Sequence, residues 1–157
     1  MIRPSYGFTS IPPALKKTVA QALGRSRGGL STKIHAAVDA LGNPLRLILS
    51  AGQVADIEQA SSFIEGIKAA AVIADKGYDF DALLQTIRAT GALAVIPPRS
   101  NRLQLRHFDS HLYKDRNLIE RFFNHLKQFR RAASRFEKLA LNYLSILNLV
   151  CTYVWLA

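Results

Sequence analysis

The chain has 157 residues, 49% of them hydrophobic, enough to bury one sizeable core in a single domain. Its 21 Lys/Arg against 11 Asp/Glu give a net charge of +10, which points to a polyanionic partner, nucleic acid before an anionic membrane. A lone cysteine, Cys151, excludes a disulfide framework and suits a reducing cytoplasm, and the first ten residues lack the unbroken apolar run of a signal peptide.

The elements follow from the punctuation of the chain. Gly24-Arg-Ser-Arg-Gly-Gly29 reads as a flexible basic loop. Thr32, Ile34, Ala36 and Val38 then alternate with Lys33, His35, Ala37 and Asp39, the pattern of a half-buried strand. Gly42-Asn43-Pro44 turns the chain into a second strand from Leu45 to Ser50, which makes a hairpin. A helix is predicted from about Ile57 to Ala69. Residues 70–75 form a short apolar run ending at the carboxylate of Asp75, the mark of a buried strand. A helix from about Phe80 to Thr90 follows, then a strand from Ala92 to Ile96 stopped by Pro97 and Pro98. The order predicts an α/β sheet with helices packed against it.

Two helices complete the chain. Between Tyr113 and Lys127, the side chains of Tyr113, Arg116, Glu120 and Lys127 fall within an arc of about 60° at 100° per residue. Leu118, Ile119, Phe122, Leu126 and Phe129 gather on the opposite, buried side. One carboxylate flanked by two cations and a phenol suits a phosphate backbone met through a metal ion. The alternative is a plain amphipathic surface helix in which Arg116 and Glu120 form an i,i+4 pair in the less favourable order. The last helix, Leu139 to Ala157, carries no charge and is long enough to raise the question of a bilayer. Asn142, Ser145, Asn148 and Thr152 line one side of it, which fits a globular core better than lipid, so no membrane partner is expected.

Charge is distributed unevenly. Residues 1–35 hold six bases and no acid, residues 36–96 hold seven acids against four bases, and residues 97–157 hold eleven bases against four acids. Such a pattern suits a protein that grips phosphates at its edges and cations at its centre. Asp75, at the carboxyl end of a strand where open α/β sheets bind ligands, is a candidate cation ligand, and Gly77 would let the backbone bend there. Capping of the next turn is the other reading of Asp75. Asp75 and Glu120 could share a divalent ion with hard oxygen ligands. Lys127, Arg130, Arg131, Arg135 and Lys138, with Arg99, Arg102 and Arg106 upstream, read as phosphate contacts or as a solvated face. The four histidines show no zinc-like spacing with Cys151, Gly28-Gly29 is no phosphate-cradling loop, and Ser26 follows no apolar strand as a hydrolase nucleophile would.

These motifs together carry a resemblance. The spacing Tyr113-x2-Arg116-x3-Glu120-x6-Lys127 resembles the signature of bacterial insertion-sequence transposases of the acidic-triad (DDE) class. So do residues 24–33, the hairpin from His35 to Pro44, Ile73-Ala-Asp-Lys-Gly-Tyr78 and Val95-Ile-Pro-Pro-Arg99. The likeness covers residues 16–157, a partial catalytic domain, whereas residues 1–15 do not resemble the family. It implies a ribonuclease-H-like mixed sheet flanked by helices, in which three acids hold two Mg²⁺ (or Mn²⁺) ions. Asp75 would be the second acid and Glu120 the third, each a catalytic residue and metal ligand. Tyr113, Arg116 and Lys127 would contact DNA near the scissile phosphate, with Arg130 and Arg131 extending the DNA-binding surface. The implied reaction is metal-dependent strand cleavage and transfer at insertion-sequence ends, on double-stranded DNA. A homo-oligomer in the bacterial cytoplasm, associated with the nucleoid, is expected.

The chain departs from that pattern in one respect. The first acid belongs on an opening strand ahead of the Gly-rich segment, yet no Asp or Glu precedes Asp39, and Asp39 matches the end of the second strand. The opening strand is therefore expected to be altered or missing, unless residues such as Tyr6 to Ile11 replace it. Two expectations follow: a truncated or frame-disrupted transposase, or a catalytically inactive DNA-binding fragment that inhibits or accompanies the full-length enzyme.

Overall fold

Alternation after Gly29 produces the longest strand, β2 (Gly29–Val38), paired antiparallel with β3 (Pro44–Ala51). A computed structural model describes residues 22–26, 29–54, 57–103 and 105–156. The segment 1–15, with the candidate replacement strand Tyr6 to Ile11, lies outside the described residues. The hairpin register runs from Thr32 opposite Ala51 to Val38 opposite Pro44, with an irregularity between Ala37 and Val38. Asp39 builds the turn. Its Oδ1 accepts the N–H of Leu41 at 2.8 Å and of Asn43 at 2.9 Å, while Oδ2 accepts Asn43 Nδ2 at 3.2 Å. Gly42 takes a φ of 93°, where a β-carbon is strained.

The supposed basic loop is in part a strand, β1 (Gly24–Ser26), antiparallel to β2 with Gly24 opposite Ser31 and Ser26 opposite Gly29. Its Gly, Arg and Ser residues carry no apolar alternation that would announce it. Close approach accounts for glycine at position 24, because a β-carbon there would lie 2.8 Å from the Gly52 nitrogen.

A second sheet pairs β4 (Ala71–Ile73) parallel to β5 (Leu93–Val95), with Ala71 opposite Leu93 and Ile73 opposite Val95. The parallel pair is crossed over by α2 (Asp81–Ala89). All three β4 residues are buried, as in a strand covered on both faces. On one face Val72 packs with Ala60 and Ile64 of α1 (Ile57–Ile64) and with Leu83, Leu84 and Ile87 of α2. On the other, Ala71, Ile73 and Val95 lie beneath Phe108, Leu112 and Tyr113. α1 stops at Ile64, short of Ala69, and Gly66 then turns the chain with a φ of 72°.

The remaining helices are α3 (Ser110–Tyr113), a 3-10 turn over Lys114–Arg116, α4 (Asn117–Gln128), α5 (Arg130–Ala133) and α6 (Ala140–Leu156). The main core joins Ala36 and Val38 of β2, Leu47 of β3, Phe122 and Leu126 of α4, and Tyr143, Leu147 and Val150 of α6. Each such large side chain contributes about 1.5–3 kcal/mol on burial. Among the described residues no helix is long and apolar enough to cross a membrane. The polar stripe of α6 faces solvent, its Ser145 and Thr152 hydroxyls donating back to the carbonyls of Leu141 and Asn148. Trp155 fixes the far end by donating Nε1–H to the Pro44 carbonyl at 2.6 Å.

The architecture is mixed α/β. Among the described residues the two sheets remain separate, with no strand paired to both β2 and β4. Helices span the gap: Phe63 of α1 belongs to the main core, and its ring meets Tyr78 edge-on at 6.2 Å.

Candidate active site

Asp75 owes its position to β4. After Ile73, the Ala74 N–H still bonds the Val95 carbonyl at 3.3 Å, and the next residue leaves the sheet with an extended backbone. A 3-10 turn over Lys76–Tyr78 follows, closed by the Tyr78 N–H on the Asp75 carbonyl at 2.8 Å. Asp75 stands where a capping residue would, yet its side chain makes no capping hydrogen bond. Gly77 does not take the left-handed conformation, and a β-carbon there would meet nothing within 4 Å, so the turn does not depend on glycine.

The opposing helix is positioned at both ends. Asp109 caps α3, its Oδ1 accepting the N–H of His111 at 2.9 Å and of Leu112 at 3.0 Å. Phe108, Leu112 and Tyr113 then pack on the β4–β5 sheet, with the rings of Phe108 and Tyr113 edge to face at 5.5 Å. Farther along, Phe122 and Leu126 anchor α4 in the main core. Held to one sheet at its start and the other beyond, the helical segment presents Tyr113, Arg116 and Glu120 over the end of β4.

The carboxylates of Asp75 and Glu120 converge on one guanidinium. Arg116 Nη1 donates to Asp75 Oδ1 at 3.0 Å, and Arg116 Nη2 pairs with Glu120 Oε1. The Tyr113 hydroxyl donates to the same Asp75 oxygen at 3.4 Å, and its ring lies 5.9 Å from the Arg116 guanidinium carbon. Partial burial pulls the Arg116 pKa down, but the charges of Asp75 and Glu120 outweigh that and raise it. Side-chain exposures of 54% for Asp75 and 52% for Glu120 leave both open to a ligand. Hard oxygens around one cationic position suit a divalent ion such as Mg²⁺ or Mn²⁺. Two negative charges balance one such ion, and among the described residues no group of three or more acidic, His or Cys ligands gathers.

The basic residues divide into two sets. Lys127 is exposed on α4, Arg130 begins α5, and Arg131 is 72% exposed while pairing with Glu137 at 3.1 Å. Arg99, Arg102, Arg106 and Arg135, read as phosphate contacts or as a solvated face, are instead partly buried and fasten one segment of the chain to another. Arg102 and Arg106 each reach Asp79 at 2.6 Å, and Arg99 donates to the carbonyls of Lys76 and Gly77 and covers the Phe80 ring at 4.4 Å. Arg135 donates to Thr32 Oγ1 at 2.7 Å and to the carbonyls of Glu137 and Lys138, with its guanidinium 5.6 Å from the Tyr143 ring. Burial lowers its pKa.

Asp79 is the residue that sequence reasoning passed over. Its neighbour in the motif, Asp75, drew attention as the strand-end acid, although three arginines spaced along residues 99–106 were a signal for a buried partner. Burial pushes the Asp79 carboxyl up, but the Arg99 N–H and the Arg102 and Arg106 guanidiniums together hold it below its ordinary 3.8. His35 is likewise structural, buried with its Nε2 hydrogen-bonded to Ser50 Oγ at 2.5 Å.

The sequence has counterparts among known proteins. Residues 11–155 match the family described as the transposase DDE domain, and the chain belongs to that family; its class of activity is that of a DNA transposase. It is 42% identical over 132 residues to a Brucella ovis protein named as a candidate transposase of insertion sequence element IS6501, covering 81% of this chain and 99% of that one. It is 31% identical over 150 residues to a Burkholderia cepacia protein named likewise for element IS402, covering 88% of this chain and 68% of that one. No solved structure matches the chain significantly.

Proposed function

We propose that the chain acts on double-stranded DNA at insertion-sequence ends, with Asp75 and Glu120 holding a divalent metal ion against the scissile phosphate. The observation that carries this reading is the meeting of those two carboxylates, from a strand end and a distant helix, on one cationic position. The bound metal would supply Lewis-acid stabilisation for in-line displacement at phosphorus, by water or by a freed 3′-hydroxyl. The residues of the chain do the rest. Asp75 and Glu120 orient the site, the Tyr113 hydroxyl lies within reach of the same phosphate, and Arg116, Lys127, Arg130 and Arg131 neutralise neighbouring phosphates. The sheet order expected for such an enzyme is ribonuclease-H-like, with a central strand between β2 and β4.

Incubating the purified chain with a labelled element-end duplex and Mg²⁺ or Mn²⁺ tests this. Nicking that leaves a 3′-hydroxyl is expected, lost in Asp75→Asn and in Glu120→Gln while DNA binding persists. Nicking that survives both substitutions overturns the assignment.

A second reading rests on Asp39. That acid is locked into the β2–β3 turn by three hydrogen bonds and does not join Asp75 and Glu120. In this reading the chain binds DNA without cutting it, alone or within transposase assemblies. Salt-sensitive binding with no nicking at any metal concentration is its signature.

A further inference from the structure

We propose that Arg116 is an exchangeable occupant of the metal position, so that divalent-metal entry and phosphate capture are linked through one side chain; the inference rests on the metal reading of Asp75 and Glu120. The two arms of the Arg116 guanidinium engage separate carboxylates, Nη1 on Asp75 Oδ1 and Nη2 on Glu120 Oε1. A metal ion bridging the two acids would sit between the carboxylates that the guanidinium now spans, where two cations would repel each other. A guanidinium and a divalent cation therefore cannot both occupy the position.

The guanidinium is weakly enough held to leave. All three side chains are partly open to water, 35% for Arg116 against 54% and 52% for the acids, and pairs of that exposure are marginal. Its single positive charge also leaves half the charge of the two carboxylates unbalanced, which a divalent ion would complete. Once displaced, the side chain keeps a planar fork of donors that matches a phosphate bidentately. Tyr113 stays behind, because its ring is packed against Phe108 and the β4–β5 sheet.

The consequence is a reciprocal coupling. DNA draws Arg116 onto a phosphate and vacates the carboxylates, and metal binding drives Arg116 towards DNA by the same factor. Without DNA, Arg116 guards the acids against idle metal binding.

Mn²⁺ binding to the full chain, followed by the paramagnetic resonance of the free ion with and without a short duplex, tests the exchange. Duplex should tighten Mn²⁺ binding to the wild-type chain about tenfold, after subtraction of Mn²⁺ held by DNA alone. Arg116→Met should bind Mn²⁺ about tenfold more tightly without DNA and gain nothing further from it. Arg121→Met, which removes the same charge from an exposed position on α4 outside the site, should behave as wild type. Equal affinity of wild type and Arg116→Met, or a gain from DNA that persists in Arg116→Met, overturns the exchange. The double variant Asp75→Asn, Glu120→Gln separates the two levels: if it binds Mn²⁺ as wild type does, the metal position itself is wrong. If it loses Mn²⁺ while Arg116→Met is unchanged, the position is right and the exchange wrong.

Discussion

The carboxylate of Asp79 and the guanidinium of Arg106 meet at 2.6 Å where no part of the Asp79 side chain reaches solvent. Arg102 approaches the second oxygen at 2.6 Å, and the Arg99 N–H completes the set at 2.8 Å. The clamp ties the segment after β5 to the turn that follows Asp75, so a fold-stabilising pair and the candidate site share one loop.

Breaking this clamp should be costly. Asp79→Ala takes from Arg102 and Arg106, 22% and 19% exposed, the carboxylate they share, and about 1–3 kcal/mol is the expected loss, read by urea denaturation. The pH dependence has a defined sign. The folded-state pKa is lowered from 3.8, so the contribution is full above the unfolded value and fades as pH falls below it. The stability gap between wild type and Asp79→Ala should therefore narrow on acidification through pH 3.8 and stay constant between pH 6 and 8.

The division of the basic residues predicts two kinds of phenotype. Lys127→Ala and Arg130→Ala should each reduce the slope of log affinity for DNA against log salt by about 1, with the thermal midpoint unchanged. Arg135→Ala should leave that slope alone and destabilise the fold by about 1.5–3 kcal/mol, since its hydrogen bonds to Thr32 and two carbonyls are lost. Filter binding over a salt series with parallel melting curves distinguishes them.

Cys151 lies 8% exposed on α6, and burial pushes its thiol up to about 12. A thiolate-seeking reagent at pH 8 should fail to label the native chain and should label it once in denaturant. Labelling at equal rates in both states would show that α6 does not pack on the hairpin as described.

What the sequence made legible was periodic or punctuated. Alternation from Thr32 and the turn residues Gly42, Asn43 and Pro44 announced the hairpin, and helical spacing put Arg116 and Glu120 on one side of a helix. The approach of Asp75 to that pair was legible from its place at a strand end and from the family resemblance, which made Asp75 and Glu120 ligands of one site. The roles of individual arginines were hidden. Arg102 and Lys127 carry the same charge, and only the buried carboxylate of Asp79 separates a fastener from a surface cation. β1 was hidden too, because pairing of Gly24–Ser26 with β2 uses backbone groups and leaves no side-chain pattern. α1 ends at Ile64, before Gly66 and earlier than its periodicity runs, and β5 keeps only the three residues that pair with β4.

The central claim is that Asp75 and Glu120 hold one divalent ion between them. Replacing Mg²⁺ by Fe²⁺ and generating hydroxyl radicals with ascorbate and peroxide cuts a backbone next to the bound metal. Fragments ending within a few residues of both Asp75 and Glu120, suppressed by excess Mg²⁺ and absent from the Asp75→Asn variant, are the predicted result. Cuts elsewhere, or a pattern that Asp75→Asn leaves unchanged, would contradict the account.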